Sequence, residues 1–147
     1  MLPTPTLFCL CERVIVSDDD TVSVITIMER LTIETIATDV SHVAPVSWSI
    51  FTFWSREDGS TVEHFEQRVE GFAAKENATP FFQAVVPITF EQGFVIAKIK
   101  HVNYGMPVSN SGRMRFVLSV RTVGELEWHE CSTFPVEIIF NVRSPES

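Results

Sequence analysis

Leu7–Ile36, LFCLCERVIVSDDDTVSVITIMERLTIETI, decides how the rest of the chain is read. It predicts two long β-strands folded back on each other around a tip of three aspartates. In the first limb, Leu7, Cys9, Cys11, Arg13 and Ile15 share one face, since side chains alternate along a strand. Phe8, Leu10, Glu12, Val14 and Val16 share the other, and both rows are largely apolar, as in a strand inside a β-sandwich. Ser17-Asp18-Asp19-Asp20-Thr21 is turn chemistry, because Asp side chains bond their own backbone. In the second limb nine of the 15 residues from Val22 to Ile36 are Val, Ile or Thr, and β-branching favours the pleated surface. The strand expected there runs Val22–Ile33. Ile25, Met28, Leu31 and Thr32 also fit helical spacing, so a helical turn near Glu29–Glu34 is the competing expectation. Ala37–Ala44 reads as a crossing loop between sheets.

Working outward, Val46–Ser55 (VSWSIFTFWS) alternates strongly, with Trp48, Ile50, Thr52 and Trp54 on one side. Asp58-Gly59 centres a hairpin turn. The return strand Val62–Gly71 carries Glu63, His64, Glu66, Gln67, Arg68 and Glu70, a polarity that suits a strand near an edge. Phe81–Pro87 is a further strand, and Pro87 places it at an edge or ends it there, because proline cannot donate to a ladder. Phe94–Tyr104, Arg113–Thr122 and Leu126–Glu130 follow, and Phe134, Val136, Ile138 and Phe140 form a last inward row. All six glycines fall between these apolar runs. The expected fold is a single antiparallel β-sandwich over residues 1–147, immunoglobulin-like or a related Greek key, of eight or nine strands. Residues 1–6 and 143–147 are expected to be loose.

Bulk properties exclude several functions. At 147 residues, a chain buries roughly 68–70% of its unfolded surface and needs no metal or disulfide staple. The net charge of −8, with only 11 Lys and Arg, disfavours nucleic acid and anionic membranes, which need a basic footprint. The start MLPTPTLFCLCERV has no basic segment and two prolines, so it reads as neither signal peptide nor spanning helix. Three cysteines with no pairing framework read as reduced thiols, and the expected location is the cytoplasm.

The stretches FCLCERVIV and TVSVITIMERLTI, then Val46–Trp54 with FEQRVE, then WHECSTFPVEI resemble a family of small bacterial proteins catalogued only as a domain of unknown function. The resemblance spans Phe8–Ile36, Val46–Glu70 and Ser109–Phe140. It implies a β-sandwich and carries over no functional residue.

The search for chemistry finds little. His42, His64, His101 and His129 share no metal-binding spacing, and Cys9-Leu10-Cys11 with Cys131 lacks the paired clusters of a structural zinc site. Two small buried hydrophobes are the simpler account of Cys9 and Cys11. Asp18–Asp20 and Glu57-Asp58 invite a calcium reading, yet match no loop motif and suit solvated turns. No nucleophile elbow, phosphate loop or dinucleotide fingerprint is present, so no cofactor is expected. Glu29-Arg30 and Glu66-Gln67-Arg68 read as charge pairs. The aromatic content exceeds what one sheet face hides, and an exposed apolar patch marks a partner surface. Trp54, Phe65, Phe81, Phe82 and Tyr104 are the candidate interaction residues. The expected function is a non-enzymatic protein-interaction or assembly module, acting through an open sheet edge or an aromatic face, with a protein partner or itself. The alternative is a carrier of a small apolar ligand in a pocket lined by Trp48, Trp54 and Phe116, and an enzyme ranks third.

Overall fold

Alternation leaves open which row of a strand faces inward, and a computed structural model, which describes residues 1–35, 42–74, 79–108 and 111–142, settles it. Nine strands build two sheets: β1 (Thr4–Val16), β2 (Val22–Ile27), β3 (Arg30–Thr35), β4 (His42–Ser55), β5 (Glu63–Phe72), β6 (Phe82–Phe90), β7 (Ile96–Val108), β8 (Gly112–Thr122) and β9 (His129–Val142). One sheet runs β2-β1-β4-β7 and the other β3-β9-β8-β5-β6. Among the described residues there is no helix, and so none long and apolar enough to cross a membrane.

The sheets share one apolar core. Trp48, Ile50 and Trp54 of β4 are buried in it with Phe65 and Val69 of β5, Ile88 and Phe90 of β6, Phe116 and Leu118 of β8, and Val136 and Ile138 of β9. One polar contact crosses this core. Thr52 Oγ1 and Trp54 Nε1 donate to the same Gln67 Oε1, at 2.7 and 2.9 Å, and Thr52 and Gln67 are both buried. A buried polar group is tolerated when it is hydrogen-bonded, and here the pairing joins β4 of one sheet to β5 of the other. Gly71 completes the fit, because a Cβ there would stand 2.9 Å from both the Phe81 and Phe116 rings.

The second limb of the opening stretch departs from expectation. It is two strands rather than one, with no helical turn: β2 pairs with β1, and beyond Met28 and Glu29 the chain enters the other sheet as β3. There β3 lies parallel to β9, from Arg30 opposite Glu137 to Thr35 opposite Val142, so the pairing is not antiparallel throughout. Glu29 C=O accepts from Glu137 N–H at 3.0 Å, which draws the limb away from β1. Of the expected crossing loop, residues 37–41 lie outside the described residues, while His42–Ala44 already belong to β4.

The hairpin of β1 and β2 also bends. β1 pairs with β4 as far as Cys11 and only with β2 beyond it. Lys98 Nζ of β7 donates to Asp20 C=O at 2.6 Å and Lys100 Nζ to Val14 C=O at 3.1 Å. Those contacts carry the hairpin back across the outer face of its own sheet. Beneath it Cys9, Cys11, Val14 and Phe51 are buried in a second cluster, with Val22, Val24 and Phe53 packed around it. Thr26, near the bend, has φ 54°, a conformation that β-branched residues rarely adopt.

Three smaller expectations are corrected. Thr4–Thr6 belong to β1 rather than a loose terminus, whereas residues 143–147 lie outside the described residues. β5 is an inner strand between β6 and β8, not an edge, and β6 is the edge. The charged row of β5 pairs laterally, Glu66 with Arg121 at 3.1 Å and Arg68 with Glu70 at 3.0 Å, while the buried Arg68 Nε has no hydrogen-bond partner among the described residues. Leu126–Glu130 is no separate strand, because β9 begins at His129. Trp128 is held beneath two guanidinium groups, Arg68 at 4.7 Å and Arg121 at 4.2 Å from its ring centre.

Replacing Gln67 by Leu strands a buried hydroxyl and a buried indole N–H. The expected loss is about 2–4 kcal/mol of unfolding free energy in urea, since each orphaned donor costs roughly 1–3 kcal/mol. Thr52→Val, which leaves Trp54 paired, should lose no more than about 1.5 kcal/mol.

Candidate functional site

A sheet edge exposes unpaired backbone groups that can accept another strand, and folds blunt their edges in recognisable ways. Four strands are edges here: β2 and β7 in one sheet, β3 and β6 in the other. β2 and β3 are each six residues long, and β6 is interrupted by Pro87. β7 has 13 residues, and from Ile96 to Tyr104 it contains neither proline nor glycine. Its register against β4 runs unbroken from Ile96–Ser55 to Tyr104–Ser47.

Both ends of that segment are defined. At Gly105 φ is +83°, and a Cβ would stand 2.9 Å from Val43 Cγ1. The register with β4 shifts between Ala44 and Ser47, so the regular ladder is broken there by a conformation open to glycine, although β7 runs on to Val108. At the other end Arg56 ties down the turn that leads into β7. Its Nε donates to Phe94 C=O at 2.9 Å, its Nη2 to Glu91 C=O at 3.0 Å, and its Nη1 pairs with Glu63 at 2.9 Å. The guanidinium also lies 4.9 Å from the Phe90 ring centre. With every one of these directions engaged, Arg56 acts as a structural clamp.

The outward row of β7 is Ile96, Lys98, Lys100, Val102 and Tyr104. Val102 is 60% exposed, Tyr104 77%, and Phe94 just before the strand 62%. The curled hairpin covers Phe51 and part of Phe53, and Val102 and Tyr104 are among the apolar positions left open, with Val43 and Ile96. Two of the three lysines in the chain, Lys98 and Lys100, stand in this row. A groove of about 380 Å³ runs between the two neighbouring edges, lined by Pro87, Thr89 and Glu91 on one side and Phe94, Ile96, Ala97, Lys98 and Ile99 on the other.

The residues singled out from sequence are dispersed. Trp54 at 0% and Phe65 at 3% exposure are core, so neither can form a surface. Phe81 and Phe82 are half-buried against Phe116, at ring separations of 5.8 and 6.2 Å. Tyr104 alone of the five is fully at the surface. The three aromatics expected to line a pocket fill the core instead: Trp48 packs on Phe116 at 5.7 Å and on Phe82 at 5.2 Å, and Trp54 bonds Gln67. Val102, Phe94 and Ile96 were missed. The signal that finds them is Lys98 and Lys100, whose charges mark the outward row of that strand.

The candidate chemistry resolves into local structure. Among the described residues no group of three His, Cys, Asp or Glu side chains is placed to hold a metal ion. Asp19 accepts from Thr21 Oγ1 at 2.6 Å and from Thr21 N–H at 3.2 Å, bonds that hold its carboxyl below the usual range. Asp58 accepts from Ser60 N–H at 2.9 Å and is lowered for the same reason. Burial raises the Cys9 thiol. It pushes Cys11 to about 11, with neighbouring Cys9 adding to the effect, and Cys131 to about 11, with Glu130 contributing. Neutral thiols are poor nucleophiles and metal ligands. Comparison with protein-family models and with curated proteins finds no match to this chain, which neither adds to nor subtracts from the resemblance drawn from its residues.

Thiol chemistry should follow burial. With iodoacetamide between pH 7 and 8.5, mass spectrometry should find Cys9 and Cys11 unmodified in the folded protein and all three thiols alkylated in urea. Raised thiols favour the folded state below their ordinary value of 9.0 and lose that advantage as the pH climbs through about 11. Stability should therefore fall across that window, and Cys11→Ala should flatten the decline.

Proposed function

We propose that this chain is a non-enzymatic protein-interaction module that accepts an additional β-strand along the edge of β7. The single observation that carries this reading is the free edge from Ile96 to Tyr104, uninterrupted by proline or glycine and flanked by exposed Phe94, Val102 and Tyr104. Backbone hydrogen bonds give such docking its affinity, and alternate side chains give it specificity. The two-sheet arrangement supports a further inference, that the fold is an immunoglobulin-like sandwich: β4 beside β7 and the run β9-β8-β5-β6 follow the strand neighbours of that Greek key.

Magnitudes set the strength expected. A nine-residue ladder supplies on the order of eight hydrogen bonds, each contributing about 1 kcal/mol net. Association costs at least about 4 kcal/mol in lost freedom of motion. The balance is modest, so contacts at this edge should be transient and visible only at high concentration.

The test uses a fluorescent nonapeptide of alternating valine and glutamate, a strand former whose carboxylates face Lys98 and Lys100. Anisotropy should rise over about 10 μM to 1 mM protein, and hydrogen exchange should slow at Ile96–Tyr104. The double variant Lys98→Glu, Lys100→Glu should bind about tenfold more weakly, because like charges then oppose docking. Absence of binding to the unaltered protein at the highest concentration, or protection confined to another strand, would overturn the proposal.

A further inference from the structure

We infer that the strand accepted by β7 is β7 of a second copy, laid antiparallel with His101 at the twofold axis. This rests on strand acceptance at β7 and goes further by naming the occupant and its register. The argument is self-complementarity. A symmetric antiparallel pair repeats every contact twice, so a register is favoured only if the outward row suits its own reverse. The usable ladder is bounded by Gly105 and by the turn that Arg56 clamps. Within it, centring the pair on Ile99 sets Lys98 opposite Lys100 twice, and centring it on Lys100 sets that lysine opposite itself. Centring it on His101 sets Lys98 opposite Tyr104 and Lys100 opposite Val102. It is the longest register with no lysine opposite a lysine, and it sets each lysine's aliphatic stem by an aromatic or branched apolar side chain.

Other features fit the same register. The two lysines donate to the Asp20 and Val14 carbonyls of the β1–β2 hairpin of their own copy, which leaves their stems rather than their charges to meet the second strand. On the inward row the partner's Asn103 and Gly105 come opposite Ile99 and Ala97. Those two residues border the groove of about 380 Å³ beside β6, and neither Asn103 nor Gly105 brings a charge to it. Pro87 keeps β6 from competing for the same strand, because it has no N–H to donate. The product is a closed dimer in which two four-stranded sheets become one sheet of eight strands.

Disulfide trapping reads the register directly, because residues opposite each other in an antiparallel pair have the Cβ spacing a disulfide needs. In a Cys131→Ser background, Lys100→Cys and Val102→Cys proteins are mixed and mildly oxidised. The expected product is a mixed disulfide at twice the 16.6 kDa chain mass, in excess of either homodimer, and Tyr104→Ala should reduce its yield several-fold. A predominant Lys100→Cys homodimer would overturn the register. No cross-linked species, from proteins whose β7 still binds the valine–glutamate peptide, would overturn the second copy as occupant and leave strand acceptance standing. Loss of both would remove strand acceptance itself.

Discussion

Two donors from β4 converge on one buried carbonyl oxygen of β5, and the placement of both sheets depends on that contact. Apolar packing between sheets is tolerant of sliding, because hydrophobic attraction has no preferred direction. A hydrogen bond is directional, and in a dry interior an unmade one costs more than a made one contributes. Thr52 and Trp54 reaching Gln67 therefore fix where β4 lies over β5. β7 takes its position from β4 through an unbroken register over Ile96–Tyr104. The edge at the far side of the molecule is thus located by a contact at its centre.

Arg56 performs the complementary task at one end. Its three anchored nitrogens join the turn after β4 to the turn before β7. A charged side chain at 6% exposure is tolerated because its hydrogen bonds replace those it made to water. The first residues of β7 are held on both flanks, by β4 along the strand and by the clamp at its start. An edge that must accept another strand benefits from such rigidity, because ordering it on binding would subtract from a small net affinity.

Much of this was legible in the chain. The alternation of Val46–Ser55 and the Asp58-Gly59 turn define strands with little ambiguity. Glycine is a poorer divider, since Gly71 lies within β5 and Gly105 within β7, which runs past the expected end at Tyr104 to Val108. Phase was harder. Period two groups Trp54 with Trp48 without saying whether that row faces core or solvent, which is why Trp54 and Phe65 stood among the surface candidates. Lys98 and Lys100 broke that symmetry for β7, and no comparable charge marked β4. The division of Val22–Thr35 into two strands was invisible, because strand formers run through it with neither glycine nor proline. What divides it is a bond from Glu137, more than a hundred residues away in sequence, and local propensity holds no record of such a partner. The bend of the first hairpin was hidden for the same reason, since its anchors are lysines on β7.

The parallel pairing of β3 with β9 bears on how the chain becomes folded as it is made. All four strands of the first sheet lie within the first 108 residues, whereas β3 has no neighbour in its own sheet until β9 emerges. At roughly 5–20 residues per second, the interval between completing β7 and completing β9 is about two to seven seconds. For that time the inner face of the first sheet has only a partial second sheet to cover it, and β3 is an orphan strand. Pairings between residues distant in sequence form slowly. The nascent chain is therefore most vulnerable to wrong associations late in synthesis, after most of its apolar residues have been made and before the strand that closes the second sheet arrives.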